Sequence, residues 1–186
     1  RPGQLWRTHE VFDEDMSDNN QITVLFGTMT GNAEDLANDL VEKLQAAGQE
    51  AEARDVADLP VSELQGMGRT AIVISTWGEG DPPDSAEDFC FDLYDGKPGG
   101  LGGMSFAVCS LGDSSYEDFC GCGRRVEEAL QKQGASKIID RVDLDVDFED
   151  GYEEWAVRFV AACLRAVLGI GWGFPEKRPS PKRPNR

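Results

Sequence analysis

The chain is 186 residues long, 40% apolar and strongly acidic, with 18 Lys and Arg against 35 Asp and Glu and a formal charge of −17. That length fits one domain with a core of its own, and no apolar run approaches the ~20 residues that cross a bilayer. The charge argues against nucleic acid and anionic membrane as partners, because phosphate surfaces are bound through clustered Lys and Arg; a basic protein suits it, although acidity also serves solubility.

Three regions separate along the chain. Residues 1–20 carry several acids and Asp18-Asn19-Asn20 without periodicity, and read as an N-terminal extension. Residues 21–168 alternate short apolar runs with amphipathic stretches; between Ile22 and Leu164 they hold 10 basic and 29 acidic residues. Residues 169–186 mix Gly and Pro with Lys177, Arg178, Lys182, Arg183 and Arg186, and read as a basic tail or linker. The chain opens on Arg1 and not on Met, which reads as a processed or excised piece, and it lacks a basic-then-apolar leader pattern, so nothing points to secretion.

The middle region predicts strand-then-helix units. Ile22 to Phe26 is a β-branched run ending at Gly27, hence a buried strand. Ala33, Leu36, Ala37, Leu40, Val41, Leu44 and Ala47 then recur at helical spacing, and Gly48 stands where a helix stops. Residues 50–54 predict a weaker second strand, and 70–76 (TAIVIST) a third, apolar on both faces as parallel sheets require. A helix is expected over 85–94 and a fourth strand over 104–110 (MSFAVCS). Phe119, Cys122, Val126, Ala129 and Leu130 stripe a helix that stops at Gly134. Residues 137–142 predict the fifth strand and 151–168 the closing helix, with Trp155, Phe159 and Cys163 on one face. This alternation specifies an α/β fold, a doubly wound five-stranded parallel sheet, which binds ligands beyond the carboxyl ends of its strands.

The loops after strands one, three and four therefore matter most. Thr28-Met29-Thr30-Gly31-Asn32-Ala33 joins a strand to a helix, where exposed N–H groups make an anion site. Gly31 lets the backbone approach a phosphate, and Thr28 and Thr30 offer hydroxyl donors. The next base is Lys43, three turns on, and the Gly-Lys-Ser/Thr ending of a triphosphate loop and the three-glycine dinucleotide pattern are both missing. Such a turn alone is often only a turn. The second loop, residues 75–83, sets Trp77 among Gly78 and Gly80, where a buried indole would be awkward; the third, residues 111–120, sets Tyr116 in a polar cluster. Two aromatics at one sheet edge beside an anion loop point to a mononucleotide with a flat ring.

Other chemistries find little support. The single histidine, His9, lies in the extension, so no Ser-His or Cys-His pair forms in the core. Cys90, Cys109, Cys120, Cys122 and Cys163 lack zinc or disulfide spacing and read as reduced, mostly buried thiols. A phospho-receiver domain shares the sheet but wants acids where Gly27-Thr28 and Ser75-Thr76 stand.

The three loops, in order and correctly spaced over residues 21–168, resemble those of the flavodoxin superfamily, above all the FMN-binding domains of diflavin reductases. The sulfite reductase flavoprotein subunit is most similar, ahead of the NADPH–cytochrome reductase and nitric-oxide synthase reductase types. Residues 111–120 and Asp140-Arg141-Val142-Asp143 carry that preference, while Trp77 departs from the Gln or Tyr common there, which bears on stacking and midpoint potential. The resemblance implies strand order 2-1-3-4-5, FMN as cofactor, no catalytic side chain and no metal. Thr28, Met29, Thr30, Gly31, Asn32 and Ala33 would hold the phosphate. Ser75, Thr76, Trp77 and Gly78 would line one side of the isoalloxazine, with the Gly78 carbonyl in the place that turns toward flavin N5. Leu111, Gly112, Asp113, Ser114, Ser115, Tyr116, Glu117, Asp118, Phe119 and Cys120 would line the other, Tyr116 stacking and Asp113 near the pyrimidine or ribityl groups.

It also implies single-electron transfer, in the cytoplasm, from an FAD/NADPH reductase domain or protein to a protein acceptor. The chain would be the FMN module of a sulfite-reductase-like diflavin reductase, or alternatively a free-standing carrier; it holds no FAD or NADP pattern of its own. Glu79, Asp81, Asp84, Asp113, Glu117 and Asp118 are expected to flank the flavin edge, to steer a basic redox protein acceptor and to disfavour the anionic reduced flavin. A flavin-free docking domain is a third reading, against which the intact loops stand.

Overall fold

The computed structural model describes residues 21–167; the extension with His9 and the basic tail lie outside them. Six parallel strands form one sheet: β1 (Ile22–Gly27), β2 (Ala51–Asp55), β3 (Arg69–Ser75), β4 (Ser105–Leu111), β5 (Ser136–Lys137) and β6 (Val142–Leu144). The order is β2-β1-β3-β4-β5, with β6 also on β4. Four helices cover it: α1 (Asn32–Ala46), α2 (Glu87–Tyr94), α3 (Gly121–Lys132) and α4 (Glu149–Val167).

Every residue of β1 is buried, because helices cover both faces of its sheet. Successive side chains along a strand serve opposite layers. Leu25, Ile72, Ile74, Phe106 and Val108 pack with Phe89, Cys90 and Leu93 of α2 and Cys122, Val126 and Leu130 of α3. Val24, Phe26, Val73, Ala107 and Cys109 pack with Leu40 and Leu44 of α1 and Trp155, Phe159 and Cys163 of α4. Trp155 and Phe159 stack at 5.6 Å. All five cysteines are free and buried.

Three elements differ most from the sequence expectation. The fifth strand is two short pieces, β5 on the start of β4 and β6 on its end. Ile138 and Ile139 are adjacent yet both buried in one layer, which a pleated strand cannot arrange. Arg141 then turns to Asp143 (2.7 and 3.0 Å) and to Glu127 of α3 (2.5 Å), so the edge breaks there. Residues 84–86 form a separate short 3₁₀ turn before α2, and α3 starts at Gly121, leaving Phe119 in the loop. The carboxyl ends of β1, β3 and β4 open on the same edge of the sheet, and β6 brings residues 145–147 beside them.

Candidate functional site

A cavity of about 500 Å³ lies at that edge. One end of it is the turn from β1 into α1. The Gly31 N–H donates to Thr28 Oγ1 at 2.9 Å, and Gly31 adopts φ +95°, a conformation glycine takes without the strain of a side chain. No side chain caps α1, so first-turn N–H groups remain for an incoming anion. Glu34 and Asp35 sit in the same turn and are exposed. They oppose an anion, so its hold rests on N–H groups and hydroxyls. Thr30, Asn32 and Met29 line the cavity; Thr28 and Gly31 shape the loop, and Ala33 is core against the sheet. Ser85, which sequence reasoning missed, donates to the Thr28 carbonyl at 3.2 Å.

The second loop is a small hairpin. Trp77 and Asp81 exchange both backbone hydrogen bonds at 2.8 Å, closing residues 78–80 into a tip with Gly78 at φ +48° and Gly80 at φ +100°. Ser75, Thr76, Trp77 and Gly78 all line the cavity. The Thr76 N–H donates to Leu111 O at 2.8 Å and ties this loop to the next.

The third loop is fixed by carboxylates. Asp113 accepts the Ser115 N–H at 2.8 Å. Asp145, just past β6, accepts the N–H groups of Ser114 and Val146 at 3.0 and 2.9 Å; the Ser114 side chain first, then these two N–H groups, hold its carboxyl below the usual carboxylate range. Asp118 pairs with Arg124 and with Arg125, the latter at 2.8 Å, which lowers its pKa as well. Cys120 enters α3 at φ 53° and donates its thiol to Ser110 O at 3.4 Å; burial pushes that thiol up to about 11. Leu111, Gly112, Asp113, Tyr116, Asp118, Phe119 and Cys120 reach the cavity wall, while Ser114, Ser115 and Glu117 do not. Val146 does, unforeseen from the sequence. Its place depends on the break in the sheet edge, which leaves no local signal.

Trp77 and Tyr116 line the cavity from separate loops and are 55% and 46% exposed. Both leave aromatic surface open at the cavity. The Flavodoxin family model matches residues 24–157. The chain belongs to the flavodoxin family. The sulfite reductase [NADPH] flavoprotein alpha-component of Bacillus subtilis is 36% identical over 160 residues, covering 86% of this chain and 26% of its own length. The Aliivibrio fischeri protein of the same name is 41% identical over 135 residues, 73% of this chain and 22% of its own. This chain thus spans about a quarter of the length of those relatives. Among solved structures, the Streptococcus pneumoniae flavodoxin superposes with a TM-score of 0.70 at 25% identity, covering 78% of this chain and 99% of that one. The oxidised Flavodoxin 1 of Bacillus cereus gives 0.68 at 27%, covering 78% and 97%.

This flavodoxin's cavity suits a flat ring with an anionic tail. Besides the two aromatics and the uncapped helix, the Thr76 hydroxyl is buried on its wall without a protein partner, the sort of atom a ligand satisfies. The flavodoxin has no cluster of three metal-ligating side chains among its described residues. No described helix is long and apolar enough to cross a membrane.

Proposed function

We propose that this flavodoxin domain binds FMN at the cavity and carries electrons one at a time from an FAD/NADPH reductase part to a protein acceptor. It would act as the FMN module of a sulfite-reductase-like diflavin reductase. The carrying observation is the pairing of Trp77 and Tyr116 with an uncapped α1 N-terminus on one cavity. FMN, when bound, supplies the redox chemistry, since its ring takes up and gives back electrons singly.

The chain's residues bind and present that ring. Thr30, Asn32 and the first-turn N–H groups take the phosphate, without a basic side chain. Trp77 and Tyr116 offer their faces to the isoalloxazine, and the Thr76 hydroxyl is free to meet a polar ring or ribityl atom. Glu79, Asp81 and Glu117 are exposed on the second and third loops, with Asp84 exposed just beyond, and would steer a basic redox protein. Asp118 is not a free acid, because two guanidinium groups neutralise it. The acidic push on the reduced flavin is correspondingly weaker there than a count of carboxylates implies. Five buried free thiols fit a reducing, cytoplasmic setting.

Calorimetric titration with FMN, FAD and riboflavin tests this reading. One FMN per chain is expected, with FAD much weaker, because the first loop closes around a terminal monophosphate. Equal affinity for FAD and FMN would overturn it.

A further inference from the structure

Arg125, on α3, reaches across to a loop 45 residues earlier in the chain. One guanidinium nitrogen donates to the Gly80 carbonyl at the tip of the Trp77 hairpin. Another donates to Asp118 Oδ2 at 2.8 Å, and Asp118 itself lines the cavity. The tip is packed tightly against this pair. A Cβ at Gly80 would fall on the Asp118 carboxylate and lie 3.0 Å from Arg125 Nη2, and a Cβ at Gly121 would meet the same carboxylate. The two glycines leave only enough room for the ion pair to sit between hairpin and helix.

The hairpin's base is tied to the third loop by the Thr76 N–H bond to Leu111 O, but its tip has few other anchors. The hairpin's own closure is the Trp77–Asp81 backbone pair, which fixes its shape but not where its tip sits against the third loop. Trp77 and Gly78 line the cavity from this hairpin, so whatever positions the tip also positions the ring-facing wall. The planar fork of Arg can hold a carbonyl and a carboxylate at once, which an ammonium cannot do with the same geometry. Arg124 supplies a comparison in the same molecule. It donates to Asp118 Oδ1 and carries an equal charge, yet makes no hydrogen bond to the hairpin.

We propose that Arg125 is a positioning residue that latches the Trp77 hairpin to the Asp118 loop and so sets how tightly, and at what potential, the ring is held. This rests on the FMN reading above. The latch works through Gly80 O, and the charge on Asp118 is only its second anchor. Arg125 therefore matters more than its neighbour of identical charge.

The experiment compares Arg125→Met with Arg124→Met, each losing one positive charge beside Asp118. Amide hydrogen exchange over residues 76–81, measured without FMN, is expected to quicken at least tenfold in Arg125→Met and to stay near wild type in Arg124→Met. The FMN dissociation constant should rise roughly tenfold in Arg125→Met, in keeping with loss of one charge-assisted hydrogen bond, and the midpoint potentials of bound FMN should differ between the two variants. Arg125→Lys keeps charge and stem while losing the fork, and is expected to fall between. It also serves if the Met variant folds poorly. Equal exchange and equal potentials in the two Met variants would overturn the latch and leave only charge. Failure of the wild type to bind FMN at all would instead sink the functional reading, and the exchange comparison would still judge the latch.

Discussion

At the end of the cavity proposed for the phosphate, residues 28–32 take their shape from a hydroxyl, a carbonyl and a glycine, with no charged side chain in the loop's own hydrogen bonds. At the end proposed for the ring, Asp113, Asp118 and Asp145 each hold a loop through a carboxylate. The contrast follows from what each end receives. On the proposed reading a phosphate would bring its own charge to first-turn N–H groups that no side chain caps. A neutral ring would bring none, and the loops expected around it are held mostly by their own carboxylates, with the Thr76 hydroxyl left for the ligand. Affinity is therefore concentrated at one end and shape at the other, and each end should respond to different perturbations.

The sharpest separation comes from Thr30→Val, which removes a hydroxyl donor to a dianion. One such bond is worth roughly 1.5–3 kcal/mol, so FMN affinity should fall about tenfold to a hundredfold while riboflavin affinity barely moves. Calorimetry with both ligands checks it, and equal weakening of riboflavin would mean the loop is not the phosphate site. A smaller effect is expected from reversing the exposed acids Glu79, Asp81, Asp84 and Glu117 to Lys. Stopped-flow transfer to a basic acceptor such as a cytochrome c should slow about tenfold at low salt, with FMN content unchanged and the salt dependence flattened. A rate flat with salt in both proteins would show the acids only solvate the surface.

The smallest effect is that of pH. Asp118 and Asp145 are both held below the ordinary carboxylate value. A lowered folded pKa gives stability that is present above the unfolded value, about 3.9, and is lost as pH falls through the folded one. The Ser114 and Val146 amide NMR signals should thus hold steady on acidification and shift only below about pH 3.9. A midpoint at or above that value would break the claim that ionised carboxylates shape the ring end.

Much of this was legible from local pattern. The runs 70–76 and 104–110 are apolar on both faces and became central parallel strands displaced by one residue. The three loops announced themselves by glycine, hydroxyl and aromatic content at strand ends. The fifth strand misled because Ile138 and Ile139 look like strand residues in sequence, while their burial in a single layer is a tertiary fact. Arg125 and Val146 were invisible for a related reason. The partner of Arg125 is a backbone carbonyl, which has no signature in the sequence, and Val146 is an unremarkable apolar residue until β6 carries it to the cavity.

The buried cysteines divide by layer. Cys90 and Cys122 lie under α2 and α3, Cys109 and Cys163 under α1 and α4, and Cys120 stands at the cavity wall. Burial raises the pKa of Cys109, Cys120 and Cys163, so an alkylating reagent meets little thiolate as well as no access. The fold has in effect placed a chemical stopwatch in each of its layers. Which thiol is modified first during slow denaturation tells which side of the sheet lets go first.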